Sequence, residues 1–120
     1  VENTYEREFK KALAHTSIRI TVLKRHDVNL GITQAVIGME RCLFARRTTK
    51  DLLDHLLKYR KKWSEATGRY LDEPLHDIHS HYADAYRYAI QAMIHLEAAS
   101  NIDQALALHK KAVDNRRRVI

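Results

Sequence analysis

The sequence predicts a helix-rich α/β fold with about two short strands and five helices. Three glycines and one proline among 120 residues leave few sites for tight turns, which favours long helices over a strand-rich sandwich. Most apolar residues recur at the helical period, and alternation of apolar with polar residues is confined to short stretches. The chain is therefore expected to form one modest domain, or part of one.

Composition and charge exclude several classes of protein. The hydrophobic content is 45%, which is normal for a folded domain, and the net charge is +6. Apolar runs are far shorter than the roughly 18 residues that a membrane span needs, and no secretory signal pattern is expected. The lone Cys42 excludes an internal disulfide and a cysteine-based zinc site. We expect a buried, unreactive thiol there and a reducing, cytoplasmic setting.

The first half of the chain is predicted to alternate helix and strand. Asn3 followed by Glu6 has the spacing of a helix N-cap with its reciprocal partner. β-branched residues alternate with polar ones around Ile20, which is typical of a strand. The four predicted elements are a helix over 3–14, a strand over 17–23, a helix over 29–39 and a strand over 41–45.

The second half is predicted to be helical. Thr48 with Asp51, and Ser100 with Asp103, have the spacing of helix starts. The predicted elements are helices over 48–66, 79–99 and from 100 onward, with a loop over 69–78. Strands that alternate with helices predict parallel pairing through right-handed crossovers. Two short strands form only a marginal sheet, so either the helices carry the fold or further strands lie outside this chain.

The densest polar cluster begins the helix predicted near residue 79. Asp77, His81, Asp84 and Tyr88 are spaced four, three and four residues apart and share one helical face. Carboxylate and imidazole groups at that spacing can hold a divalent cation, and carboxylate oxygens suit magnesium or manganese. The alternative is that these groups simply cap the helix and complement its dipole.

The segment SHYADAYRY at 80–88 resembles the signature near the end of the nuclease domain in large terminase subunits, the DNA-packaging motors of tailed bacteriophages. Weaker similarities occur in the same order along residues 5–93. They are the segments at 18–22, 31–32, 42–44, 56–63 and 74–77. The resemblance implies that residues 1–98 are the C-terminal part of a ribonuclease-H-like domain, with 99–120 as a helical extension. The implied setting is the cytoplasm of a bacterial host cell.

The resemblance also implies a chemistry, namely metal-dependent cutting of double-stranded DNA during genome packaging, with Mg²⁺ or Mn²⁺ as the cofactor. Carried over by position, Asp84 is a catalytic carboxylate that binds metal. His81 is an outer ligand or a neighbour of the ligands, and Asp77 is a weaker candidate ligand. Arg87 either pairs with a carboxylate or faces a phosphate.

Two departures from the family limit what this chain is expected to do alone. The family's other acidic ligands lie on strands before the matched region, and Glu2, Glu6 and Glu8 do not occur in strand contexts. No glycine-rich ATP-binding loop occurs. We therefore expect no motor activity and no independent cleavage, with the rest of the terminase subunit or another chain completing the sheet.

Basic residues suggest a surface for double-stranded DNA. Lys58, Arg60, Lys61 and Lys62 are predicted to cluster on one helix, and three arginines follow at 116–118. The alternative is a solvated helix face. Two further hypotheses stay open: a non-catalytic helical protein that binds nucleic acid or a partner and retains terminase-like sequence, and a histidine–aspartate metal module unrelated to packaging.

Overall fold

The computed structural model describes residues 3–118 and contains four helices and one two-stranded sheet within them. The elements are α1 (Thr4–Ala12), α2 (Val28–Met39), α3 (Lys50–Lys58), β1 (Lys61–Ser64), β2 (Arg69–Pro74) and α4 (Ile78–Arg118). The coarse prediction of a helix-rich fold that includes strands is confirmed. None of these helices is long and apolar enough to span a bilayer.

Four of the five predicted helix starts lie within two residues of the observed ones. The Asn3 side chain accepts a hydrogen bond from the Glu6 amide at 2.7 Å and caps α1, as its spacing predicted. Helix α2 begins one residue earlier than expected, because Asp27 rather than Asn29 accepts from the Leu30 amide at 3.0 Å. Glu6 and Glu8 lie on α1 and not on strands, while Glu2 is outside the described residues.

Both predicted strands are wrong. Residues 17–23 and 41–45 contain no strand, and the side chains of Ile18 and Val22 are 60% and 52% exposed. An alternating pattern forms a strand only where a neighbouring strand can take up its backbone hydrogen bonds. No such neighbour lies beside either segment among residues 3–118. The predicted parallel pairing is therefore also wrong.

The observed sheet is an antiparallel hairpin in a region predicted to be helix and loop. Helix α3 ends at Lys58 rather than near residue 66, because Tyr59 is extended, with φ −66° and ψ 129°. Trp63 pairs with Tyr70 across the strands, with ring centroids 4.9 Å apart at 75°. Gly68 closes the turn with a φ of 61°, a conformation that favours glycine. Trp63, which lies within the helix predicted over 48–66, is thus a hairpin residue.

The last two predicted helices form one helix of 41 residues, α4. No glycine or proline occurs between residues 78 and 118, so nothing in the backbone chemistry ends the helix near Ser100. The predicted division of the chain at residues 98 and 99 falls within it. A helix of this length spans about 60 Å, which accounts for the 75 × 36 × 34 Å extents of the molecule.

The core lies where α2 crosses the first half of α4. Ala35, Tyr86 and Ile90 are buried together, and the Tyr86 hydroxyl donates to the Ala35 carbonyl at 3.3 Å. The partly buried residues around them are Cys42, Phe44, Leu52 and Leu56. Burial, followed by the hydrogen bond to the Cys42 thiol, raises the pKa of Tyr86 to about 12. Cys42 is partly buried, in keeping with its apolar sequence context.

Small residues let α2 approach α4 closely. A methyl group added at Gly31 would lie 2.9 Å from both the Arg87 Cδ and the Gln91 Nε2 atoms. One added at Gly38 would lie 3.0 Å from two carbon atoms of Ile90. Because Ile90 and Arg87 are themselves buried, they have little room to move away. The one face of α2 formed by Gly31, Ala35 and Gly38 therefore sets the separation of the two helices.

Helix α3 packs on α4 through aromatic rings. The His55 imidazole stacks on the Tyr82 ring with centroids 3.8 Å apart. Its Nδ1 atom also lies 2.7 Å from the Nδ1 atom of His79, so one ring donates a hydrogen bond and the other accepts it. Helices α2 and α3 thereby fix the first turns of α4, the part of the chain that carries the predicted site.

We predict that Gly31→Ala destabilises the fold by about 1–2 kcal/mol, because overpacking against Arg87 and Gln91 exceeds the gain in helix propensity. Chemical denaturation followed by circular dichroism measures this change. Val36→Ala on the exposed side of α2 is the control and should change stability by less than about 1 kcal/mol. Equal effects of the two variants would contradict the close helix contact.

Candidate functional site

The first turn of α4 is held by a reciprocal pair of hydrogen bonds between Asp77 and Ser80. Asp77 Oδ1 accepts from the Ser80 amide at 3.0 Å, and the Asp77 amide donates to Ser80 Oγ at 3.0 Å. Ser80 is buried, and its Oγ atom lies 3.3 Å from His76 Nδ1. Asp77 is thus engaged in helix capping, the alternative to metal binding that its position allowed.

Asp84 and Arg87 form an ion pair one turn further along α4. Arg87 Nη2 donates to Asp84 Oδ1 at 2.9 Å; the arginine side chain is 7% exposed and the aspartate 35%. Burial alone would lower the pKa of the Arg87 guanidinium, but the hydrogen bond and charge of Asp84 outweigh it and raise that pKa. The guanidinium carbon also lies 4.7 Å from the Tyr88 ring centre.

Arg87 is incompletely satisfied. Its Nε atom is buried and has no hydrogen-bond partner among residues 3–118, and the same holds for Gln91 Nε2 one turn later. Both side chains lie beneath Gly31. An arginine held in this way has a fixed position, and its pairing with Asp84 offsets part of the cost of burying the charge.

A cleft of about 370 Å³ opens over the ion pair. It is lined from three directions, by the segment before α2, by the segment after β2 and by α4. The lining residues are Arg25, His26, Val28, Pro74, Leu75, His76, Ser80, Asp84, Arg87 and Tyr88. Two arginines, two histidines and two hydroxyls supply hydrogen-bond donors, whereas Asp84 is the single carboxylate among these residues and already pairs with Arg87. The chemistry of the wall therefore suits an anion better than a cation.

The predicted metal ligands do not assemble into a metal site. Among the residues that the structure describes, no three His, Cys, Asp or Glu side chains are grouped so that they could hold an ion. His81 is exposed, and its ring lies edge-on to that of His76 with centroids 5.2 Å apart. A two-metal centre needs several anionic ligands, so the residues present do not fit the pair of ions that the family resemblance implies.

The predicted basic cluster does not lie on one helix. Lys58 ends α3, Arg60 lies in the connection, and Lys61 and Lys62 belong to β1. Lys61 Nζ lies 2.8 Å from Asp72 Oδ1 and Lys62 Nζ lies 3.5 Å from Glu73 Oε1 on the facing strand. The hydrogen bond from Lys61 lowers the pKa of the Asp72 carboxyl. These two lysines are thus partly neutralised within the hairpin.

The cleft and the basic segment adjoin one another. Pro74 borders the cleft and also a second groove, which is lined by Arg60 and Lys61 together with residues of α2. Arg116 and Arg117 lie at the far end of α4, and the side chain of Arg118 is outside the described part. Of the predicted basic residues, only those near the hairpin can therefore act together with Asp84 and Arg87.

Sequence reasoning missed Arg25, His26 and His76 as site residues. His76 and Ser80 lie inside or next to the signature at 80–88, so proximity to it is a signal that could have found them. Arg25 and His26 are about fifty residues away along the chain and follow no motif. Only the packing of α2 against α4 brings them to the cleft.

Comparison of this chain with protein-family models, with curated proteins and with solved structures finds no match.

Proposed function

We propose that this chain is a DNA-contacting portion of a terminase-type nuclease domain, and that the cleft over Asp84 and Arg87 receives a phosphate of the double-stranded DNA backbone. The single observation that carries the proposal is the wall of that cleft, where Arg25, His26, His76 and Arg87 surround one already paired carboxylate. The resemblance of residues 80–88 to the terminase signature is the basis for proposing this family, and the donor-rich wall supports a phosphate ligand.

The geometry supports binding more strongly than catalysis by this chain alone. Asp84 is half-buried and hydrogen-bonded to Arg87. The described residues place no cluster of three ligands around it. In our proposal, Asp84 contributes one carboxylate of the family's ribonuclease-H-like active site, and the other acidic ligands come from another segment or chain. The same observation supports the alternative, a non-catalytic nucleic-acid-binding protein, and activity assays separate the two.

Exposed cations at and just before the hairpin extend the proposed DNA surface. Lys58 and Arg60 are exposed, and no carboxylate of residues 3–118 forms an ion pair with either. Lys61 and Lys62 have such partners on β2. Because release of counterions from DNA depends on uncompensated positive charge, Lys58 and Arg60 should contribute more to DNA affinity than the two lysines of the hairpin.

We predict that Arg25→Ala combined with His76→Ala weakens binding of a short DNA duplex about three- to tenfold at low salt, because the cleft loses phosphate donors. Fluorescence anisotropy over a series of salt concentrations measures the affinity and its salt slope. Arg7→Ala, on the exposed surface of α1, is the control for loss of positive charge. If the control weakens binding equally, general charge and not the cleft accounts for the affinity.

A second pair of variants tests the basic segment. The double variant with Lys58→Gln and Arg60→Gln should have a shallower slope of log DNA affinity against log salt concentration. The reduction should correspond to the loss of about one to two phosphate contacts. Lys61→Gln with Lys62→Gln removes the same formal charge and should have a smaller effect, since Asp72 and Glu73 already compensate those lysines. An equal or larger effect of the hairpin pair would contradict this ranking. Circular dichroism checks that both double variants are folded.

For cleavage, we predict that this chain alone does not cut supercoiled plasmid in the presence of magnesium or manganese, because one carboxylate cannot hold two ions. Agarose gels that resolve nicked and linear plasmid provide the measurement. Asp84→Asn is the matched control, and any trace of cutting should be identical in both proteins. Cutting that Asp84→Asn abolishes would show that the chain contains a complete active site.

A further inference from the structure

The second half of α4 carries an apolar stripe that no other part of residues 3–118 covers. From Met93 through residue 112, side chains on all sides of the helix are exposed, with Ile102 at 60% and Leu106 at 62%. The stripe consists of Ala99, Ile102, Leu106 and Val113, and the exposed His109 occupies the remaining position of the same seven-residue repeat, in which positions are three and four apart. That spacing is the pattern of a seam between paired helices.

The groove between α1, the following segment and α4 lies to one side of this stripe. Lys10 and residues 19–21 line this groove together with Leu96, Ala99, Ser100, Asp103, Gln104 and Ala107 of α4. At the helical period, Ser100, Gln104 and Ala107 point away from Ile102 and Leu106, whereas Ala99 and Asp103 lie at the boundary between the groove and the stripe. The chain's own elements therefore leave the stripe open from Ile102 onward.

The charged residues that flank the stripe favour one relative direction of two paired helices. Asp103 and Lys110 are seven residues apart and lie on the same side of the seam, while the other side carries Ala98, Ala105 and Ala112. In a parallel pair, each charge would face an alanine of the partner helix. In an antiparallel pair, Asp103 of one helix faces Lys110 of the other, and twofold symmetry forms this contact twice.

The small residues on the opposite flank fit the same arrangement. In an antiparallel pair, the alanines of one helix meet the alanines of the other. Side chains of this size allow helix axes to approach at the lower end of the usual range of about 8–10 Å. Charge order and side-chain size thus both select the antiparallel pairing of two identical helices.

We propose that two copies of this chain associate through an antiparallel pairing of this stripe on α4, with Asp103 of each copy paired to Lys110 of the other. The inference does not depend on the proposed function, since it uses neither the cleft nor the hairpin. If the chain proves to be monomeric, the proposal of DNA binding is unaffected. If DNA binding is not observed, the proposal of a dimer is unaffected.

Sedimentation equilibrium of the full chain over a range of protein concentrations tests the pairing. The unaltered chain should form a dimer, and Leu106→Glu should weaken dimerisation at least about tenfold, because a buried leucine on each helix is lost. Leu108→Glu is the matched control: Leu108 is 67% exposed, lies on another side of the helix and should leave dimerisation unchanged. A monomer at every concentration, or equal effects of both variants, would overturn the proposal.

Charge exchange tests the antiparallel arrangement separately. Asp103→Lys and Lys110→Asp should each weaken the dimer, because each places like charges opposite one another at both symmetry-related contacts. The double variant restores opposite charges, so it should dimerise within about threefold of the unaltered chain. A double variant as weak as the single ones would show that Asp103 and Lys110 do not face each other. The four residues substituted in these tests are exposed in the single chain: Asp103, Leu106, Leu108 and Lys110. Circular dichroism verifies that the variants are helical.

Discussion

The close approach of α2 to α4 is the constraint on which the rest of the structure depends. Gly31, Ala35 and Gly38 give α2 a flat face, and Tyr86 and Ile90 pack directly against it. A chain of this size can bury only about two-thirds of its surface, so a single well-packed crossing carries much of the core. The packing of α3 through His55 and Tyr82 adds to this crossing.

The same crossing determines the chemistry of the cleft. By covering Arg87, α2 removes a guanidinium from water, and a buried cation requires a nearby anion. Asp84 provides that anion, with its Oδ1 atom 2.9 Å from Arg87 Nη2. The pairing leaves the Asp84 carboxylate less available to a metal ion. Covering Arg87 also brings Arg25 and His26 over the start of α4. A donor-rich wall around one neutralised carboxylate is the result, and it is the basis for proposing a phosphate ligand.

Local signals predicted local structure well and long-range structure poorly. The Asn3 cap and the helical character of 29–39 and of the region after 79 follow from contacts between near neighbours in the chain. The strands over 17–23 and 41–45 were wrong because alternation indicates only what a segment tolerates, not whether a partner strand lies beside it. The hairpin was missed because Trp63 fell within the helical spacing predicted over 48–66 and Tyr70 within the loop predicted over 69–78, and only their pairing across the turn forms the sheet.

By itself, the sequence determined the helix-rich character, the positive charge and the grouping of Ser80, Asp84 and Arg87 on one helix, because these depend on composition and on spacings within a few residues. Tertiary structure decided that Arg87 is buried while it pairs with Asp84, that Lys61 and Lys62 are neutralised across a hairpin, and that Arg25 reaches the cleft. Burial of Arg87 and formation of the cleft depend on distances between segments far apart in the chain, which are fixed only when α2 packs on α4. The lysine pairs form only when β1 and β2 pair across their turn.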